Sequence, residues 1–300
     1  MRFPRLGRVF PLVGLAVILS LFTVVYYPVA IDFSVFNPLW NGYDKLTKLV
    51  NATLICESLE DNLPGKPKGY MLILIPYKSL VKDDVRALVD FVKGGGVLLL
   101  MDDFGYGNEV LEVFNAPVRF MEGILTDPIF YYKSTRIVRV RNFMGSLTGL
   151  NETFFNYASA LKILDRERVR VLALSGPFSF LDEDFDGVYD PGEPYGPFPV
   201  IVEFNYGLGR VIVISDPSVA INVMLNYGDN AELFKRLCGG YRVLLDQTYT
   251  PRNLHVYLKE VVYAGLSFIS WKPILTPLTI IVVVSVSLII SRRMRGKGVG

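Results

Sequence analysis

The chain has 300 residues, of which 51% are hydrophobic, and its 31 Lys+Arg against 29 Asp+Glu leave a formal net charge of only +2. That combination excludes a disordered chain, which needs low hydrophobicity and high net charge. One histidine, His255, excludes multi-histidine metal sites and histidine relays, and two cysteines, Cys56 and Cys238, exclude a Cys-rich zinc site or a multi-disulfide scaffold.

Residues 1–8 form a basic tail with Arg2, Arg5 and Arg8. Residues 9–31 carry no charged side chain until Asp32, and Tyr26 and Tyr27 stand near the far end. Roughly 20 apolar helical residues cross the hydrocarbon layer, and aromatic rings favour its interface, so this run reads as a transmembrane helix. A cleaved signal peptide is the alternative; the run exceeds a usual signal core, and no small-x-small site follows it.

Residues 32–250 read as one α/β domain. Met71–Ile75 is a buried strand. Val81, Val85, Leu88, Val89 and Val92 then recur at helical spacing, with Asp83 and Asp84 in the first turn and Gly94–Gly96 as the stop. Val97–Met101 is a second buried strand, and strand–helix–strand at this spacing implies parallel pairing. The pattern loosens over 122–168, which reads as an insertion in which Arg136–Arg141 alternates like an exposed strand. Val200–Phe204 and Arg210–Ser215 flank a tight turn and predict a hairpin. Asp216-Pro217 has the form of a helix start, and Asp229 with Glu232 has capping-box spacing before a helix ending at Cys238. Tyr241–Asp246 is another strand. The sum is an α/β fold with a mainly parallel sheet.

A membrane-proximal helix is expected over 251–272, then a second charge-free span over 273–291, then a tail, 292–300, with Arg292, Arg293, Arg295 and Lys297. Both basic clusters flank the spans on their terminal sides. The positive-inside rule then places both termini in the cytoplasm and the domain outside the cell membrane, with the lipid bilayer as a partner. The small positive charge arises from these tails and leaves the domain acidic, so no nucleic-acid partner is expected. The sequons at Asn51 and Asn151 fall in the domain as possible glycosylation sites. An oxidising compartment would allow a Cys56–Cys238 disulfide; two separate thiols are the alternative. The scarcity of Cys, and of Gln (Gln247 stands alone), fits a thermophilic source.

The most specific local motif is the stretch 182–193. Asp182, Asp184, Asp186, Asp190 and Glu193 fall at positions one, three, five, nine and twelve, and Gly187 falls at six. This spacing wraps oxygen ligands around Ca²⁺, with Val188 offering a backbone carbonyl at position seven. The flanking prolines exclude a helix pair, so the expectation is a structural calcium clip; a metal-free acidic turn is the alternative.

Strands that end in acids suggest a polar crevice at the carboxyl edge of the sheet, drawn from Asp102, Asp103, Asn108, Asp216, Asn222, Asn230 and Asp246. Helix capping is the competing role for these acids. No Ser or Cys nucleophile elbow is present, which argues against nucleophilic catalysis.

Four phrases, Phe33–Leu46, Leu88–Leu111, Ser179–Glu193 and Gly207–Leu237, together resemble an uncharacterised, membrane-anchored domain-of-unknown-function family of archaea and bacteria. The most specific part is Ser215-Asp216-Pro217-Ser218, Asn222 and Asp229-Asn230. The resemblance implies a flavodoxin-like, class I glutamine amidotransferase-like fold, often encoded beside MoxR-type AAA+ ATPases. It does not carry amidotransferase chemistry, because neither cysteine lies on an elbow and His255 is followed by Val256-Tyr257. The expected function is a non-catalytic extracytoplasmic binding or scaffold protein, accessory to an envelope or transport complex with protein partners. The alternative is a hydrolase or transferase acting on envelope glycans or peptides through the strand-end carboxylates.

Overall fold

The structure, a computed structural model, describes residues 14–16, 19, 20 and 22–270. It divides into two compact units, Ala30–Pro251 and the terminal segments on either side of it.

The larger unit is built on an eight-stranded sheet. Its strands are β1 (Thr53–Ile55), β2 (Tyr70–Leu74), β3 (Val97–Met101), β8 (Asn142–Phe143), β11 (Arg170–Leu174), β13 (Pro199–Tyr206), β14 (Gly209–Ile214) and β15 (Arg242–Asp246), in the spatial order β1-β15-β2-β3-β14-β13-β11-β8. The first five in that order are parallel, and the last three pair antiparallel. The fold is therefore mixed α/β with a mainly parallel central sheet.

The parallel strands read as continuous apolar runs because both faces are covered. Met71, Ile73, Val97, Leu99 and Met101 point into one core, while Leu72, Leu74, Leu98 and Leu100 point into the other. The first core is closed by α1 (Asp44–Leu49) and α5 (Asn230–Cys238) through Leu46, Leu233, Phe234 and Leu237. The second is closed by α2 (Leu59–Asn62), α3 (Lys82–Lys93) and α4 (Gly107–Val113) through Leu59, Leu88, Phe91, Val110 and Leu111.

The stretch 122–168 is folded. Within it, β6 (Tyr131–Tyr132), β7 (Ser134–Val140) and β9 (Thr153–Asn156) form an antiparallel sheet. The expectation of an exposed strand at Arg136–Arg141 is corrected. Val138 and Val140 are fully buried and β7 is paired on both edges, so Arg139 and Arg141 mark one face while Val138 and Val140 on the other face join the first core. Two further pairs complete the unit: β4 (Val118–Phe120) with β10 (Leu161–Ile163), and β5 (Ile124–Thr126) with β12 (Phe180–Asp182).

The hairpin forms as β13–β14 around Gly207-Leu208. Two helix-start expectations are corrected. After Asp216 the chain makes only 3₁₀ turns, Ser218–Ala220 and Met224–Asn226; one Asp216 oxygen accepts the Ser218 amide, while the other is held by the Asn156 amide and Asn222 bonds to the N-terminal loop. The capping box at α5 does not form; an Asp229 carboxylate oxygen accepts the Asn151 amide at 2.6 Å and the Glu152 amide at 3.4 Å instead.

In the terminal unit, a helical segment reaches residue 26 and stops before Pro28, whose ring disfavours helix at the residue before it. The other helix is α6 (Leu254–Ser270), whose Lys259 donates to the Val25 carbonyl at 3.1 Å. Among the described residues no helix is long and apolar enough to cross a membrane. This overturns the two-pass placement with cytoplasmic termini and an outer domain. The expected span 273–291 and the tails 1–8 and 292–300 lie outside the described residues, as does part of 9–31. Within 251–272, α6 carries Lys259 and Glu260, and Glu260 pairs with Arg252 at 3.2 Å.

Candidate functional site

The carboxyl ends of the parallel strands bring acids to one edge of the sheet, and the local backbone takes most of them. Asp102, buried after β3, accepts the amides of Gly105 at 3.0 Å and Gly107 at 2.6 Å, holding the turn that starts α4. Asp216, fully buried after β14, accepts the amides of Asn156 and Ser218, each at 2.6 Å. Asp246, fully buried at the end of β15, accepts the amides of Thr248 and Tyr249. Only Asp103 is half-buried; one of its oxygens accepts the Phe104 amide at 2.7 Å.

Strands lie about 4.8 Å apart. Asp102 and Asp216 follow neighbouring strands, whereas Asp246 follows a strand two places from β3 and three from β14. That separates it by roughly 10 Å and 14 Å along the sheet. The structure therefore gathers Asp102, Asp103 and Asp216 into one cluster and leaves Asp246 out.

Two tyrosines absent from the sequence expectation complete the cluster. The fully buried Tyr43 donates its hydroxyl to the Pro217 carbonyl, and the Tyr77 ring packs on Phe33 with centroids 5.3 Å apart. Burial pushes the Asp102 and Asp103 carboxyls up to about 6; the charge of Asp103 adds to the effect at Asp102, and backbone hydrogen bonds oppose it. Asp216 is raised well above the carboxylate range, again by burial first and then by Asp103. Both tyrosines are raised too: Tyr43 by burial, then by Tyr77 and the charges of Asp216 and Asp103, and Tyr77 by desolvation, then by Asp103 and Asp102. A tyrosine ahead of α1 and another after β2 gave no periodic signal, so the sequence could not pair them with acids more than twenty residues away.

The three asparagines do not line a crevice. Asn108 exchanges both of its side-chain hydrogen bonds with the Phe120 backbone, at 3.1 and 2.9 Å. Asn222 donates to the carbonyls of Asn37 and Leu39 and accepts the Lys45 amide, fastening the segment ahead of α1. Asn230, fully buried, accepts the Phe154 amide and donates to the carbonyls of Phe154, Val219 and Met224. Together with Asp216 and Asp229, these residues stitch the 216–230 stretch to the N-terminal loop and to β9.

The acidic loop follows β12 and leads through Pro194 and Pro197 into β13, so strands flank it. Carboxylate oxygens of Asp182, Asp184 and Glu193 lie within 4.8 Å of one another, and so do those of Asp184, Asp186 and Asp190. Gly187 sits at φ +84°, a backbone conformation that a side chain would strain. The two Glu193 oxygens receive the amides of Glu183 and Asp190, at 2.8 and 3.0 Å. The Asp190 carboxyl is raised, by desolvation and then by the charges of Asp186, Asp184 and Glu193. Val188 donates its amide to Asp186 at 2.7 Å.

Residues 35–238 match the family described as Domain of unknown function (DUF4350). The chain belongs to that family. No curated protein matches. Among solved structures, the chain is similar to the "mmIFT52 N-terminal domain" (14% identity, TM-score 0.42, covering 55% of this chain and 76% of that one). It is also similar to "Cytoplasmic Protein STM1381 from Salmonella typhimurium LT2" (15%, 0.44, 67% and 87%). A third likeness is to a beta-galactosidase from Bacillus circulans sp. alkalophilus (13%, 0.36, 58% of this chain and 23% of that one).

Cys56 and Cys238 form no disulfide with each other, so of the two alternatives the structure has the separate thiols. Cys56 follows the carboxyl end of β1, beside Asp246, whereas Cys238 ends α5 just ahead of β15. The five residues of β15 separate the two positions by roughly 17 Å, far beyond bridging distance. Burial raises the Cys238 thiol to about 12, as expected for an inert core cysteine. Asn51 and Asn151 are both exposed.

Proposed function

We propose that this DUF4350 protein is a non-catalytic binding module, an accessory subunit that docks to a protein partner. One observation carries the reading: three of the four strand-end carboxylates are buried and spent on backbone amides. Groups held that way are structural and do not reach a substrate. The same edge offers a surface for recognition instead. Tyr77, Phe104 and Tyr106 are exposed there, and the Tyr106 amide bonds to the Pro76 carbonyl, so the loops after β2 and β3 touch. Exposed aromatics of this kind anchor protein interfaces. The resemblance to amidotransferase-like domains that lack their nucleophile supports the same reading, and it makes a MoxR-type ATPase complex the first partner to test.

The experiment is retention of that ATPase by the purified full chain, compared with a Phe104→Ser, Tyr106→Ser variant. Binding by the parent chain and its loss in a variant with an unchanged melting temperature supports the module. Hydrolysis of glycan or peptide substrates by the parent chain, abolished by Asp103→Asn, would establish the catalytic alternative. That alternative draws on Asp103 alone, whose raised carboxyl is of general-acid type.

A further inference from the structure

We propose that the loop 182–193 is a Ca²⁺ site in which Asp182 Oδ1, Asp184 and Glu193 form the first contacts and Arg136 holds the opposite oxygen of Asp182. Six acids stand between positions 182 and 193 with no Lys or Arg among them. Exposed acids alone do not make a site, and the decisive group is not exposed.

Asp182 closes β12 and is fully buried. Its Oδ2 is well served: it accepts the Gly187 amide at 3.0 Å and Arg136 Nη2 at 3.0 Å. Among the described residues its Oδ1 has no hydrogen-bond partner. A buried carboxylate oxygen left unpaired is costly and calls for a compensating cation or donor. Arg136 does not supply it: its Nη2 serves Asp182 Oδ2 and the Phe185 carbonyl, the latter at 2.7 Å. Carboxylate oxygens of Asp184 and Glu193 lie within 4.8 Å of one of Asp182, and a cation between them would relieve the repulsion of three like charges.

The donor set is all oxygen, on a loop with a glycine at its sharp turn and a glutamate able to bind through both oxygens. These features favour Ca²⁺, which takes six to eight oxygens flexibly, over Mg²⁺, which demands a tight octahedron and keeps its waters. Arg136 comes from β7, so the site also ties the loop to the insertion sheet. This inference is independent of the binding-module reading.

The loop carries its own probe. Tyr189 lies inside it, with Tyr195 at a ring-centroid distance of 5.6 Å, so Tb³⁺ bound here is sensitised by tyrosine excitation. The full chain is titrated with Tb³⁺, back-titrated with Ca²⁺, and melted in 10 mM Ca²⁺ and in chelator, alongside an Asp184→Asn, Glu193→Gln variant. Both substitutions lie outside the core clusters. Expected are sensitised emission that Ca²⁺ displaces, a rise in melting temperature of about 5 °C in Ca²⁺, and at least a tenfold loss of emission in the variant with no Ca²⁺ shift. Identical parent melting curves in Ca²⁺ and chelator, or emission undiminished in the variant, would overturn the proposal. The parent measurement decides even if the variant fails to fold.

Discussion

Asp103 and Asp102 are adjacent in sequence and differ in what they hold. Asp102 serves two amides of the α4 turn, and Asp103 serves one. Both titrate near pH 6 in the folded chain and near 3.9 when unfolded. The folded state thus holds more protons than the unfolded state between those values. Stability contributed by these groups falls as pH rises from about 4 to about 6, and the penalty is complete above that window. Asp103→Asn keeps an oxygen for the Phe104 amide and removes the charge. It is expected to raise stability by about 1 kcal/mol at pH 8 and to leave it unchanged at pH 4; a melting temperature unaltered at both pH values would refute this. At this scale the sequence left crevice and cap open as roles for these acids, because an aspartate after a strand looks the same whether it caps a turn or faces a ligand. The asparagines show the limit more sharply. Asn222 and Asn230 are recognition-type residues in sequence, yet their partners lie up to 185 positions away.

The hairpin β13–β14 is where an element depends on one missing atom. A side chain at Gly209 would drive its Cβ into the carbonyl oxygens of Gly96 and Val92, where α3 ends against the start of β14. Backbone atoms cannot move aside cheaply, so Gly209→Ala is expected to cost about 3 kcal/mol. Chemical denaturation measures it; a loss under about 1 kcal/mol would show that the turn relaxes freely. The elements read correctly from sequence are those fixed by local periodicity: β2, α3, β3, the hairpin and β15. Those misread depended on partners beyond the window. The turn after Asp216 lost its helix to bonds with Asn156 and the N-terminal loop, and β7 gained burial from β6 and β9.

The unit Ala30–Pro251 holds both apolar cores, whose buried members all fall between Phe33 and Tyr249. A fragment of residues 30–251 is therefore expected to unfold cooperatively, within about 3 °C of the full chain. A fragment without a cooperative transition would show that the terminal segments complete a core. The sequence by itself determined the α/β class, the parallel pairing and the acid spacing of the 182–193 loop, because each follows from periods and intervals of a few residues. Only the tertiary structure decided that three of the four strand-end acids are buried against backbone amides, that the cysteines lie at opposite ends of β15, and that Asp182 is buried with one oxygen unpaired among the described residues. Those facts depend on which distant segments share a sheet edge, and contacts across a hundred residues leave no local pattern in the chain.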